Sequence, residues 1–518
     1  MPIDRVRGLP LVLGLTLAAT VAAARTDRPL SAIDWLSQSV TAPAAAARPA
    51  RSQEPAVADG GALPAAVSTT ALDGPSPDAA GLITPAVSGL PHRLWGAGRT
   101  LEIASRLTAE QVDALPALRQ LMLTLLLAEA EAPADSEGKG LLLLARVDKL
   151  LALGGLEQAA ALIRESETMT PDLFRRSFDV ALLTGQEDRA CEAMITSPDL
   201  APTFPARIFC LARSGDWNAA ALTLRTAQSL GLIGETEDTL LSRFLDPDLY
   251  EGEPVPPAPT PVTPLFWKMY EAIGEPLPTT GLPLAFAHAE LGPHSGWKAQ
   301  IEAAERLTRA GTIAPNVILG LYTERQAAAS GGVWDRVDAF AAFDAALQAR
   351  DAARVAATLP VAWGRMGEAE LEVPFATLYA RDLMALDLAG PAAAVAFRVA
   401  LLSPAYQTAA AEHVPADLTE AFLVAVAKGD LTGVPAPDTL GRAIAPAFLA
   451  PTLSAEARQL IEGNRTGEAL LLAIESIGRG AQGDLRGVTE GLSLLREAGL
   501  EDVARRTALE LMILERRG

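Results

Sequence analysis

The sequence predicts an all-α protein built from stacked antiparallel helix pairs. Three observations predict it: many Ala and Leu beside only five Tyr and thirteen Phe, apolar residues recurring at helical spacing, and glycines set at a regular interval between apolar helices. Strand surfaces draw on aromatic and β-branched side chains, whereas Ala and Leu favour helix. The chain has 518 residues, 49% of them apolar, which is enough for sizeable cores. Its formal charge of −20, from 63 acidic and 43 basic residues, argues against adhesion to nucleic acid or to an anionic membrane face. No basic cluster is longer than Arg505-Arg506, so no phosphate-binding surface is expected.

Arg5 and Arg7 precede an apolar run from Leu9 to Ala24 that closes in Ala22-Ala23-Ala24. That layout predicts a secretory signal peptide over residues 1–24, cleaved near Arg25. The run is short for a bilayer span, which needs about twenty residues. A periplasmic or secreted product without an integral membrane segment follows. Residues 25–40 contain an apolar island, Leu30 to Val40, in which Ser31 can cap a short helix and Ile33, Trp35 and Leu36 form one apolar edge. Kept outside the folded body, these three residues would dock in a partner's groove. The alternative is that they fold back onto the chain's own helices. Residues 41–91 are rich in Ala, Pro, Ser and Gly, without helical periodicity, and read as a disordered linker.

Residues 92–246 carry the clearest internal pattern. Gly155, Gly185 and Gly215 stand thirty residues apart, and so do Ala160, Ala190 and Ala220. Each glycine follows an apolar helix, as in Leu150-Leu151-Ala152-Leu153, and supplies a left-handed turn. Acidic residues then follow, Glu157, Glu187-Asp188 or Asp216, and favour the positive start of the next helix. Alanine five positions after each glycine lets the paired helices approach closely. Over residues 141–230 this pattern resembles the tetratricopeptide and Sel1-like superfamily of α-solenoids, with a period nearer thirty than about thirty-four. The resemblance implies an extended surface that holds a protein or peptide partner.

Residues 247–264 hold Pro247, Pro254, Pro256, Pro257, Pro259 and Pro261, where no helix can persist, and predict a hinge. Residues 265–518 resume the helical pattern as a second helical domain, with turns at Gly429-Asp430, Gly483-Asp484 and Gly499, and a closing amphipathic helix from Val503 to Leu514.

Candidate chemistry is sparse. Cys191 falls in the second helix of one pair and Cys210 in the first helix of the next. Counting about ten residues either way from the loop near Pro202 puts them at similar height, within disulfide reach. His288, Glu290 and His294 are the only cluster dense enough to invite metal or acid–base chemistry, and a structured inter-helix turn accounts for them better. Ala473-Ile474-Glu475-Ser476 resembles the Glu-Ser start of a lytic transglycosylase site, yet the glycine-rich segment that should follow is missing. Trp217, Trp267, Trp297, Trp334 and Trp363 are expected in the core. No cofactor, metal or catalytic residue is expected. The sequence favours a scaffold or adaptor for a protein partner in the cell envelope, with a glycan-processing enzyme and an export accessory as rivals.

Overall fold

The computed structural model describes residues 33, 35–37, 39–41, 76–111, 113–197 and 200–514. The signal-peptide reading of residues 1–24 and most of the linker lie outside the described residues. Within them the chain is helical, with two-residue strands at Val40–Thr41 and Ala201–Pro202. No described helix is long and apolar enough to cross a membrane.

Local chemistry starts and stops the helices. Three helix pairs succeed one another: Leu141–Ala152 with Leu156–Glu165, Pro171–Leu183 with Glu187–Thr196, and Phe204–Arg213 with Trp217–Leu230. Thr170 accepts a hydrogen bond from the Leu173 amide, and Pro171 occupies the first turn, where its missing donor costs nothing. Asp216 caps its helix by accepting from the Ala219 amide at 3.0 Å. Gly185 and Gly215 have φ of 70° and 86°, the left-handed region that a reversal after a helix requires. The first pair departs from the expected turn. There Gly154 holds the left-handed position, at φ 78°, and Gly155 is already the N-cap of the second helix. Each helix in this run packs on its predecessor and its successor.

The two ends of the described body meet. Helix Thr100–Ala109 packs against Thr466–Ala481, and Pro116–Leu127 packs against Glu501–Ile513. The Ala117 amide donates to Glu510 at 2.8 Å, and the Gly467 amide donates to the Leu94 carbonyl at 2.8 Å. A β-carbon on Gly467 would lie 2.5 Å from the Trp95 ring, so this approach needs glycine. One apolar cluster therefore runs from Ile33 through Leu143, Phe286 and Phe375 to Leu514. A second gathers around Phe178, Phe209 and Tyr270.

Two boundaries need correction. Residues 76–91 are packed, not linker: Pro77–Ala79 forms a turn of 3₁₀ helix, and buried Asp78 accepts from the Leu143 amide at 2.8 Å. Residues 247–264 are fixed rather than a free hinge. Arg243 donates to the Pro254 carbonyl at 2.8 Å from one side, and the Tyr270 hydroxyl donates to the Pro256 carbonyl at 2.9 Å from the other. Proline leaves this segment only the short 3₁₀ turn Pro247–Tyr250, but its carbonyls still accept, and two neighbouring helices use them. Because the larger core takes in residues on both sides of it, the proline segment joins parts of one packed body.

Candidate binding groove

Two concavities share a wall. The smaller, about 470 Å³, lies among helices Leu156–Glu165, Pro171–Leu183 and Glu187–Thr196. The larger, about 1030 Å³, is bounded by Thr184-Gly185, the Pro264–Ala272 helix, the Gly274–Pro278 turn and residues 288–296. Glu157 and Thr184 line both, so the two lobes of this candidate groove adjoin at these residues. Its position follows from the repeat: the reversal at Gly185 brings Thr184 to the end of its helix, where it faces the next layer.

The groove's polar groups are already engaged. The His288 Nε2 lies 2.6 Å from the Gly154 carbonyl, so that nitrogen carries the proton and donates. Burial holds the imidazole below its ordinary pKa, against the pull of the Gly154 carbonyl and Glu157. His294 stands exposed on the rim, and Glu290 accepts from the Thr279 amide at 3.2 Å. His288, Glu290 and His294 thus border one cavity, with His288 and Glu290 serving separate partners. Among the described residues no group of three or more His, Cys, Asp or Glu is placed to hold a metal ion. Lys268 sits 2.9 Å from Glu271 and 3.7 Å from Glu187, over the Trp267 ring at 5.6 Å. Trp267 is itself buried and donates its indole N–H to the Leu277 carbonyl at 3.0 Å. Between these groups the wall is proline, glycine and apolar side chain, including Pro276, Pro278, Pro293 and Leu291. Such a wall offers shape and apolar contact, with charge at Glu157, Lys268 and Glu271.

Glu475 lies away from the groove, exposed and paired with Arg479 one turn along its own helix at 2.9 Å. Ser476, beside it in sequence, is buried. The glutamate and serine of the transglycosylase-like tetrapeptide therefore face different surroundings. Of the tryptophans expected inside, Trp217 is 51% exposed and touches Phe244 with ring centroids 6.3 Å apart. It is the first residue of its helix, where the apolar face has yet to turn inward.

Cys191 and Cys210 are joined, with Cα atoms 5.1 Å apart and both residues buried. The bond closes a loop between residues nineteen apart in sequence. Replacing both cysteines with serine will lower unfolding free energy by about 3 kcal/mol, read as a shifted urea midpoint. An unshifted midpoint would show that the link constrains nothing.

Of the two readings open for Ile33, Trp35 and Leu36, a partner-docking edge or a fold-back onto the chain's own helices, the structure shows the second. All three are buried against the chain's own body. Trp35 meets Phe286 edge-on at 5.6 Å, and Val40–Thr41 pairs antiparallel with Ala201–Pro202. The Ser37 amide donates to the Asp179 carboxylate at 2.8 Å, and its hydroxyl donates to the other oxygen. Arg175 donates to the carbonyls of Leu36 and Ser37. Neither Asp179 nor Arg175 was singled out from sequence. The available signal was a pair of opposite charges four apart on a helix that also carries Asp172 and Arg176, which solvated ion pairs produce equally well.

Burial raises Asp179 to about 7, against the Ser37 donors and the charges of Arg175 and Arg176, of which Arg176 is committed to Asp148. A carboxyl whose folded pKa lies above its unfolded value near 3.8 contributes most below that value and loses its contribution as pH rises through 7. Amide exchange at residues 35–40 is therefore expected to quicken, beyond the intrinsic rise, between pH 5 and about 8. In Asp179→Asn that extra quickening should vanish. Parallel behaviour in both proteins would remove Asp179 as its cause.

No family model, no curated protein and no solved structure matches this chain.

Proposed function

We propose that this chain is a protein-binding scaffold of the cell envelope, exported by means of residues 1–24, whose helix pairs work as an α-solenoid presenting the Glu157–Thr184 groove to a partner's extended segment. The observation that supports this reading is the groove itself. Its two lobes, about 470 and 1030 Å³, adjoin at Glu157 and Thr184, an elongated arrangement that suits a run of residues better than a compact small molecule. Proline and glycine lining presents backbone and apolar surface, while Lys268, Glu271 and Glu157 give charges that fix direction and register. The acidic chain as a whole keeps anionic polymers away and leaves a protein segment as the fitting ligand.

The test places a photocrosslinking amino acid at Ser295, on the groove wall, and at Val414, which is 85% exposed elsewhere. In intact cells the Ser295 position is expected to give a discrete adduct that Thr184→Trp abolishes by filling the shared wall. Adducts that are identical at both positions, or that survive Thr184→Trp, would remove the groove from the reading.

A further inference from the structure

Residues 33–41 are held in a way that differs from ordinary core packing. Their backbone is read group by group: the carbonyls of Leu36 and Ser37 by Arg175, the Ser37 amide by Asp179, the Ser39 carbonyl by the Thr203 amide at 2.9 Å, and the next two residues by a strand edge. Side-chain selection comes at alternate points. Trp35 packs on Phe286, and the Ser37 hydroxyl donates to Asp179. A cleft that pairs an extended backbone with an edge strand and gives separate places to individual side chains has the build of a peptide-recognition site. All of its receptor groups come from residues 175–203 and 286, far along the chain from the segment they hold.

Thirty-four residues, 42–75, lie outside the described residues between the cleft's occupant and Ser76. Being covalently part of the chain that holds it, the segment competes with any free peptide as an intramolecular ligand, at an effective concentration on the order of 1 mM. We infer that the Arg175–Asp179–Phe286 cleft is a peptide-binding site, closed in cis by residues 33–41, that accepts from a partner protein an extended segment of the same aliphatic, Trp, Leu, Ser pattern. The geometry keeps it separate from the groove. Arg175 and Asp179 lie four apart on one face of the Pro171–Leu183 helix, while Ser177, Val180, Ala181 and Thr184 line the groove from the opposite face. The inference therefore stands whether or not the groove binds anything.

Cis occupation sets the terms of binding. With an intrinsic dissociation constant of about 10 μM for the chain's own segment and a local concentration of about 1 mM, a foreign segment's apparent affinity falls by about 100-fold until the own segment is displaced. Any event that removes residues 33–41 from the cleft then acts as the switch.

The experiment uses the full chain with a protease recognition sequence inserted between Ala58 and Asp59. After cleavage and extensive dilution the N-terminal piece is expected to leave, with helical content by circular dichroism unchanged. A fluorescent peptide of residues 31–41 should then bind the cleaved protein about 100-fold more tightly than the uncleaved protein. Asp179→Ala and Arg175→Ala in the cleaved protein should abolish that binding, and Thr184→Trp should leave it intact. Three results would overturn the inference: loss of helical content on cleavage and dilution, failure of the peptide to bind the cleaved protein, or equal binding to cleaved and uncleaved chains.

Discussion

Replacing Arg146 by methionine is expected to cost about 3–5 kcal/mol of unfolding free energy, because it strips four carbonyls of one shared donor. The guanidinium is buried and donates to the carbonyls of Leu126, Ala80 and Ala128 at 2.8, 2.6 and 2.9 Å, and to that of Asp78 at 3.4 Å. These oxygens belong to the 3₁₀ turn with its cap, 78–80, and to the C-terminal end of helix Pro116–Leu127 with Ala128, two stretches joined nearby by the Leu82 and Ile83 amides on the Leu127 carbonyl and the Glu129 amide on that of Ile83. Burial draws Arg146 down to about 10, which leaves it charged at neutral pH. Methionine fills the space but offers no donor, so the carbonyls would be left dry and unpaired. Asp78, which caps the neighbouring helix through Leu143, would lose its nearby cation as well. A urea titration should show the lost stability, and limited proteolysis should cut first within residues 76–93. A midpoint shift worth less than about 1 kcal/mol would mean water satisfies those carbonyls. Arg486→Met, removing an exposed ion pair with Glu490, should leave the midpoint in place.

Arg146 also marks where sequence reading stops. Helical content was legible because it is local: Thr170-Pro171, the caps at Asp216 and Asp351, and the glycines at 185 and 215 declare themselves within a few residues. The relation between Cys191 and Cys210 was within reach of counting, since one short loop separates their helices. Residues 76–91 were read as linker because Pro, Gly and Ala dominate them. Nothing local says that Asp78 and the carbonyls beside it are wanted by Arg146 and Leu143, more than sixty residues on. The same limit hid the meeting of the chain's ends. A helical stripe tells which face of Pro116–Leu127 is apolar, but not that Glu501–Ile513 covers it.

Trp35 shows why the functional reading inverted at that point. An apolar residue outside a helix pattern wants cover, and sequence alone does not say whether a partner or the same chain provides it. Its cover proves to be Phe286, beyond every helix pair of the repeat region. The groove residues were legible as a cluster at 288–294, while their role was not, because it depends on Glu157 and Thr184 arriving from another layer.

The second large effect is expected at Asp148. Asp148→Ala should destabilise the protein by about 3–5 kcal/mol, the usual cost of leaving a buried charge without its partner. Arg176 is 1% exposed and grips both Asp148 oxygens, at 2.5 and 2.7 Å, joining helix Leu141–Ala152 to helix Pro171–Leu183. Its remaining donor goes to the Asp172 carbonyl at 2.9 Å, which cannot balance the charge. The double variant Asp148→Leu with Arg176→Met removes charge and partner together, and should return to within about 1–2 kcal/mol of the parent. The comparison separates two roles for the pair. If the double variant regains stability but loses protection of residues 35–40 from amide exchange, the pair's work is to hold Arg175 and Asp179, on the same helix, at the angle that receives Ser37. If stability and protection return together, packing between the two helices is all that the cleft requires of them. A double variant no more stable than Asp148→Ala would contradict both, since an apolar replacement leaves no charge to strand.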